Sequence, residues 1–223
     1  MVFVHGFTQT ARSWEPVIEL LPPDVEAVAL DVPDGLDFAS TADAIADVGG
    51  PATYVGYSMG GRLCLQLALD RPDTVTGLVL VSASPGIADP AERQSRRESD
   101  ERLARGIERD GVDAFLERWL AQPLFTSLSE DTAGVDDRRT NTIGRLTHQL
   151  RALGQGAQPP LWDRLSQLCP PVQLVTGGID TKYTHLAEEM SGRLPRARVT
   201  TVPGAGHAVH LERPEAVAHL LTS

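Results

Sequence analysis

The chain has 223 residues, 41% of them hydrophobic and 22% charged, which fits one domain with a sizeable core. Twenty basic against 30 acidic residues leave a net charge of −10 without a basic stripe, which argues against a nucleic-acid partner. Two cysteines rule out a disulfide scaffold and match no metal spacing, and the longest apolar run, Leu78-Val79-Leu80-Val81, falls far short of a membrane span.

Residues 2–4 read as a first strand. The opening Met1-Val2-Phe3-Val4-His5-Gly6 lacks both the basic start and the cleavable apolar core of a secretory leader, so the cytoplasm is the expected compartment. Further β-branched runs predict strands at 25–32, 52–55, 76–83, 172–176 and 198–202. Leu63, Cys64, Leu67 and Ala68 recur at helical spacing, as do Val217, Leu220 and Leu221. Strands alternating with helices argue for a mostly parallel sheet covered on both faces. Cys64 and Cys169 sit in apolar stretches and read as small buried hydrophobes.

Between about residues 85 and 169 no strand is convincing. Charged helical patterns run over 91–107, 112–120 and 140–153. This predicts a core segment at 1–85, a helical cap at 86–168 over the C-terminal edge of the sheet, and a second core segment at 169–223. Open α/β sheets bind ligands at that edge. Helices that merely cover a sheet face are the alternative.

The sharpest local signal is Gly56-Tyr57-Ser58-Met59-Gly60. Twelve serines and 20 glycines would yield roughly 0.1 chance matches to Gly-x-Ser-x-Gly, so the motif alone is suggestive. Its context strengthens it: an apolar strand precedes and an apolar helix follows, as a nucleophile elbow requires. The serine hydroxyl needs a base and the base an orienting acid, in the chain order serine, acid, histidine. Asp180 follows the fifth strand and His207 the sixth, both in loops at strand C-terminal ends. Each has a plainer reading, Asp180 as a helix cap near Thr181 and His207 as a loop residue. His210 is the competing base, but it begins a helical turn and points elsewhere. The backbone N–H groups of Met59 and Phe7 are the expected oxyanion-hole donors, Phe7 through the turn His5-Gly6-Phe7.

These motifs resemble the α/β-hydrolase superfamily over nearly the whole chain. Four stretches resemble more closely the 2-succinyl-6-hydroxy-2,4-cyclohexadiene-1-carboxylate synthase (MenH) family of menaquinone biosynthesis. They are Gly-Tyr-Ser-Met-Gly-Gly-Arg at 56–62, Glu-Arg-Gln-Ser-Arg-Arg-Glu-Ser-Asp at 92–100, Trp119 with Pro123-Leu124-Phe125, and Gly154-Gln155-Gly156-Ala157-Gln158-Pro159 with Leu161-Trp162. The resemblance implies an α/β-hydrolase fold with a cap inserted before the last two strands. It also implies a lyase that eliminates pyruvate from a cyclohexene polycarboxylate, with Ser58, His207 and Asp180 serving as its base. By matching position, Arg62 and Arg96 would hold substrate carboxylates, and Tyr57 and Trp119 would line the pocket. The implied partner is thus a small anionic molecule, with no membrane role; no residue pattern asks for a metal or an organic cofactor. A carboxylic-ester or carbon–carbon-bond hydrolase on the same triad, acting through an acyl-enzyme or an activated water, stays open, as does a binding protein on the same scaffold.

The chain departs from the family in two places. It opens almost on the His5-Gly6-Phe7 strand, without the usual earlier strands, so the expectation is either a start placed late or a genuinely shorter sheet with a more exposed edge. The loop after Asp31 reads Val32-Pro33-Asp34-Gly35, where the superfamily commonly has Pro-Gly-His-Gly.

Overall fold

The computed structural model describes residues 1–222. The elements in chain order are β1 (Val2–Val4), α1 (Glu15–Ile18), β2 (Val28–Leu30), α2 (Phe38–Gly49), β3 (Ala52–Tyr57), α3 (Met59–Asp70), β4 (Val75–Val81) and α4 (Pro90–Leu120). They continue with α5 (Val135–Arg139), α6 (Ile143–Leu153), β5 (Val172–Gly177), α7 (Thr181–Ser191), β6 (Ala197–Val202), α8 (Val209–Glu212) and α9 (Pro214–Leu221). All six expected strands form, the first with its expected ends and the others with ends that shift by at most three residues. The strand expected over 25–32 shortens to Val28–Leu30.

Six parallel strands make one sheet in the order β2-β1-β3-β4-β5-β6. Period-2 alternation in β4 sends Leu78 and Leu80 into one core layer, and Val79 and Val81 into the other. The first layer holds Leu63, Leu67, Ile45 and Leu174 beneath α2, α3 and α7. The second holds Phe3, Trp14, Val175 and Val217 beneath α1, α8 and α9. Both faces are buried, so β4 reads as a continuous apolar run. β2 forms one edge of the sheet, with Val28 exposed.

The helices α4, α5 and α6 lie between β4 and β5 in the chain. Asp89 caps α4 by accepting the Glu92 N–H at 2.8 Å, with Pro90 in the first turn. The two helical patterns expected at 91–107 and 112–120 form one long element broken at Gly111, where φ is +83°. Only glycine adopts that value readily, so the chain turns there. Ile107, Phe115, Leu116, Leu146 and Leu150 form a separate small core, and Phe7 from the loop after β1 packs against it. The strand order reverses between β1 and β3, and a crevice forms at their C-terminal ends, where such sheets accept ligands. Cys64 is buried as expected, whereas Cys169 is exposed: it lies in the loop entering β5, ahead of Pro170-Pro171, with its thiol against the Gln167 carbonyl.

Candidate active site

Ser58 joins β3 to α3 in a strained turn, with φ +49° and ψ −106°. Gly56 and Gly60 make the turn possible. A Cβ on Gly60 would fall on the Val4 carbonyl, and one on Gly56 would meet the Gly60 carbonyl group at 2.6 Å. The Ser58 N–H donates to the Val81 carbonyl at 2.9 Å, and the Ser58 carbonyl accepts the Arg62 N–H at 3.0 Å. The side chain is thereby held clear of the sheet, at the N-terminal end of α3.

Asp180 and His207 converge on it. The Ser58 hydroxyl donates to His207 Nε2 at 3.2 Å, and the His207 Nδ1–H donates to Asp180 Oδ2 at 2.6 Å. His207 is nearly fully buried and packs against Tyr183, with ring centroids 4.5 Å apart. The cap reading of Asp180 also holds: Oδ1 accepts the Tyr183 N–H at 3.2 Å and closes the first turn of α7. The carboxylate serves both groups through separate oxygens. His210 turns away, between the rings of Trp14 and Tyr57 at 4.5 and 4.3 Å, and its Nε2 accepts from Gln9 Nε2 at 3.3 Å. Burial keeps it well below the usual imidazole range and therefore neutral.

These groups open on a cavity of about 280 Å³. Phe7, Tyr57, Ser58, Met59, Arg62, Arg96, Trp119 and His207 all line it, and Asp180 stands behind His207. Met59 is the first residue of α3, so its N–H belongs to the turn whose donors have no partner within the helix. Sequence reading missed Arg138, Gln149, Gln155, Lys182 and Tyr183, which also line the cavity. Arg138 and Lys182 had no local signal, since only the fold brings α5 and α7 to this crevice. Among the described residues, four cations line the cavity and no carboxylate does.

The arginines differ in how firmly they are held. Arg62 is buried, donating to the Leu153 carbonyl at 2.7 Å and to Gln158 Oε1 at 3.1 Å. Burial lowers its pKa to about 10, which leaves it charged at neutral pH. Arg96, about a third exposed, is steadied by Asp100 at 2.7 Å and Gln155 at 3.0 Å. Burial pushes the Tyr57 and Tyr183 phenols above their ordinary value, so both are neutral. A hollow of about 670 Å³ shares Arg96, Gln155, Lys182 and Tyr183 with the cavity and adjoins it. A third, of about 690 Å³ beside Arg12, Glu15 and Arg213, holds none of Ser58, His207 and Asp180.

Residues 1–220 match the model of the alpha/beta hydrolase family. The 2-succinyl-6-hydroxy-2,4-cyclohexadiene-1-carboxylate synthase of Enterobacter sp. (strain 638) is 33% identical over 99% of this chain and 89% of its own length. A Bacillus subtilis (strain 168) protein, named provisionally for the same synthase, is 35% identical over 100% of this chain and 90% of its own. The chain belongs to the alpha/beta hydrolase family, in its MenH branch. MenH from S. aureus superposes with a TM-score of 0.94 at 26% identity, covering 99% of this chain and 91% of that one. A thermophilic esterase from Thermogutta terrifontis shares the fold, with a TM-score of 0.82 at 21% identity over 99% of this chain and 87% of its own. Helices α4 and α6 supply Arg96, Trp119 and Gln149 to the cavity wall.

Proposed function

We propose that this chain eliminates pyruvate from 2-succinyl-5-enolpyruvyl-6-hydroxy-3-cyclohexene-1-carboxylate, with Ser58, His207 and Asp180 as the proton-abstracting triad. The observation that carries the reading is the cavity lining: a Ser–His–Asp array opens on four cations and no carboxylate, in a protein of net charge −10. Long-range repulsion is screened over about 8–10 Å in salt, so the local cations govern a polyanion once it enters.

In this mechanism the Ser58 hydroxyl gives its proton to His207 Nε2, and its oxygen takes the acidic ring proton. Asp180 Oδ2 stabilises the imidazolium that forms. The released electron pair builds a new ring double bond and expels the enolpyruvyl oxygen as its carbon–oxygen bond breaks. The departing group leaves as the enolate of pyruvate, which takes at carbon the proton held on His207, so the triad returns to its starting state and no water is consumed. The N–H groups of Met59 and Phe7 act as the oxyanion hole for charge that builds on the carbonyl oxygen conjugated to the reacting carbon. Arg96 and Arg62 hold carboxylates, and Tyr57 and Trp119 wall the ring. Residues 86–168 are the cap that closes the site between core segments 1–85 and 169–223. The small anionic substrate fits a cytoplasmic enzyme, and no helix among the described residues is long and apolar enough to cross a membrane.

The test is pyruvate release, coupled to lactate dehydrogenase, from enzymatically generated substrate. Release that vanishes in Ser58→Ala supports the lyase. A folded protein that releases no pyruvate, but cleaves a nitrophenyl ester with an acyl-enzyme burst, overturns it in favour of a hydrolase.

A further inference from the structure

Helix α6 buries a stripe of Leu146, Gln149, Leu150 and Leu153, at i, i+3, i+4 and i+7 spacing. Three are leucines packed in the hydrophobic cores. The fourth is a carboxamide only 1% exposed, and neither its Nε2 nor its Oε1 has a hydrogen-bond partner among the described residues. Arg151, on the exposed side of the helix, pairs with Glu101 and Glu108 of α4. A buried amide without a partner is destabilising, whereas an apolar side chain of similar size would pack there at no such cost. Gln149 lines the same cavity as Ser58 and His207, and the buried Trp119 Nε1–H on that wall is also unpartnered.

We propose that Gln149 is a specificity residue whose carboxamide pairs with a neutral hydroxyl on the substrate ring. This rests on the proposed reaction. The cations of the cavity already suit carboxylates, and a carboxylate set against Gln149 would satisfy its Nε2–H while facing Oε1 oxygen to oxygen. A hydroxyl answers both halves: it accepts from Nε2 and donates to Oε1. The compound named for the MenH relatives carries one such group, a 6-hydroxyl. A site built around a buried polar pair rejects an analogue that leaves the pair unmade.

The test compares wild type and Gln149→Leu on the hydroxylated substrate and on its 6-deoxy analogue, with urea unfolding of both proteins. Wild type should favour the hydroxylated compound by about tenfold or more in KM. Gln149→Leu should raise KM for that compound about tenfold, leave kcat within about twofold, and lose the preference. Its unfolding midpoint should hold or rise, because no internal bond is lost. Unchanged discrimination in the variant, or equal rises in both KM values with a lower midpoint, overturns this inference alone. A wild type that releases no pyruvate from either compound overturns the proposed reaction and the inference together.

Discussion

The two carboxylate oxygens of Glu212 accept the N–H groups of Gly206 and Ala208, the residues on either side of His207, at 2.7 and 3.1 Å. The loop that carries the imidazole is thereby clamped at both shoulders by one side chain from α8. A carboxylate accepting two backbone donors is a strong anchor, because each bond is charge-assisted.

Loosening that clamp should therefore weaken turnover more than binding. Glu212→Ala frees the loop and lets His207 drift from Ser58, and a shift of that kind costs positioning rather than affinity. We expect kcat to fall roughly tenfold to a hundredfold with KM within about threefold. Glu212→Gln, which keeps one good acceptor, should fall between. Steady-state kinetics on the three proteins checks the order, and a main effect on KM would contradict it.

Ser58→Ala should abolish pyruvate release while leaving the fold intact, since among the described residues the hydroxyl's hydrogen bond is to His207. The backbone at position 58 keeps the same strained conformation in the variant, so the unfolding free energy should change by less than about 1 kcal/mol. Residual release above about one part in a thousand would show that His207 can act without the serine.

Arg96 and Arg62 should separate. Arg96→Ala removes a half-anchored cation at the cavity wall and should mainly raise KM. Arg62→Ala also leaves the Leu153 carbonyl and Gln158 without their donor, at about 1–3 kcal/mol for each buried group stranded. Arg96→Ala in turn strands the buried Asp100 carboxylate, so urea titration should show a loss for both variants, and adding Asp100→Asn should recover stability in the Arg96 variant alone while its KM stays high.

Stability should fall on mild acidification because of His5. This residue is fully buried, donates Nδ1–H to the Gly6 carbonyl at 2.8 Å, and accepts the Val32 N–H at Nε2 at 3.1 Å. Burial lowers its pKa from 6.5 to about 4, although the carbonyl of Gly6 and the charge of Asp31 pull the other way. Unfolding lets it bind a proton that the folded state refuses. Its contribution is thus fully present above pH 6.5 and is lost as the pH falls toward 4, an effect of up to about 3 kcal/mol. Urea midpoints at pH 7, 5.5 and 4.5 should fall steadily, and His5→Asn should flatten that slope, leaving the share due to buried His210. A wild-type midpoint constant across this range would contradict the assignment.

Gly60→Ala should be among the most damaging single-methyl additions. The new Cβ would land on the Val4 and His5 carbonyls, which are sheet backbone and cannot rotate away. A loss of at least about 3 kcal/mol, or failure to fold, is expected.

The elbow, the order of Ser58, Asp180 and His207, and the alternation of strands with helices were legible in the sequence, because each rests on short local patterns taken in chain order. Small glycines let a strand turn sharply into a helix, and polar loop residues follow apolar strands. The kink at Gly111 and the exposure of Cys169 were less so, since a glycine or a cysteine is compatible with several surroundings. The break that Gln149 makes in the leucine stripe of α6 is visible in the sequence, but sequence reading passed over it.

What the tertiary structure alone decided is which distant side chains meet. Arg138, Gln149 and Lys182 come from helices far apart in the chain, yet they line one cavity of about 280 Å³ together with Phe7 and Arg96. No local periodicity encodes that meeting; it follows from the strand order, which sets where each connection emerges, and from the cap helices packing over that edge. The same holds for Glu212, whose grip on the His207 loop depends on α8 folding back beneath it, and for Asp180, whose two oxygens reach His207 and α7 only when both are in place.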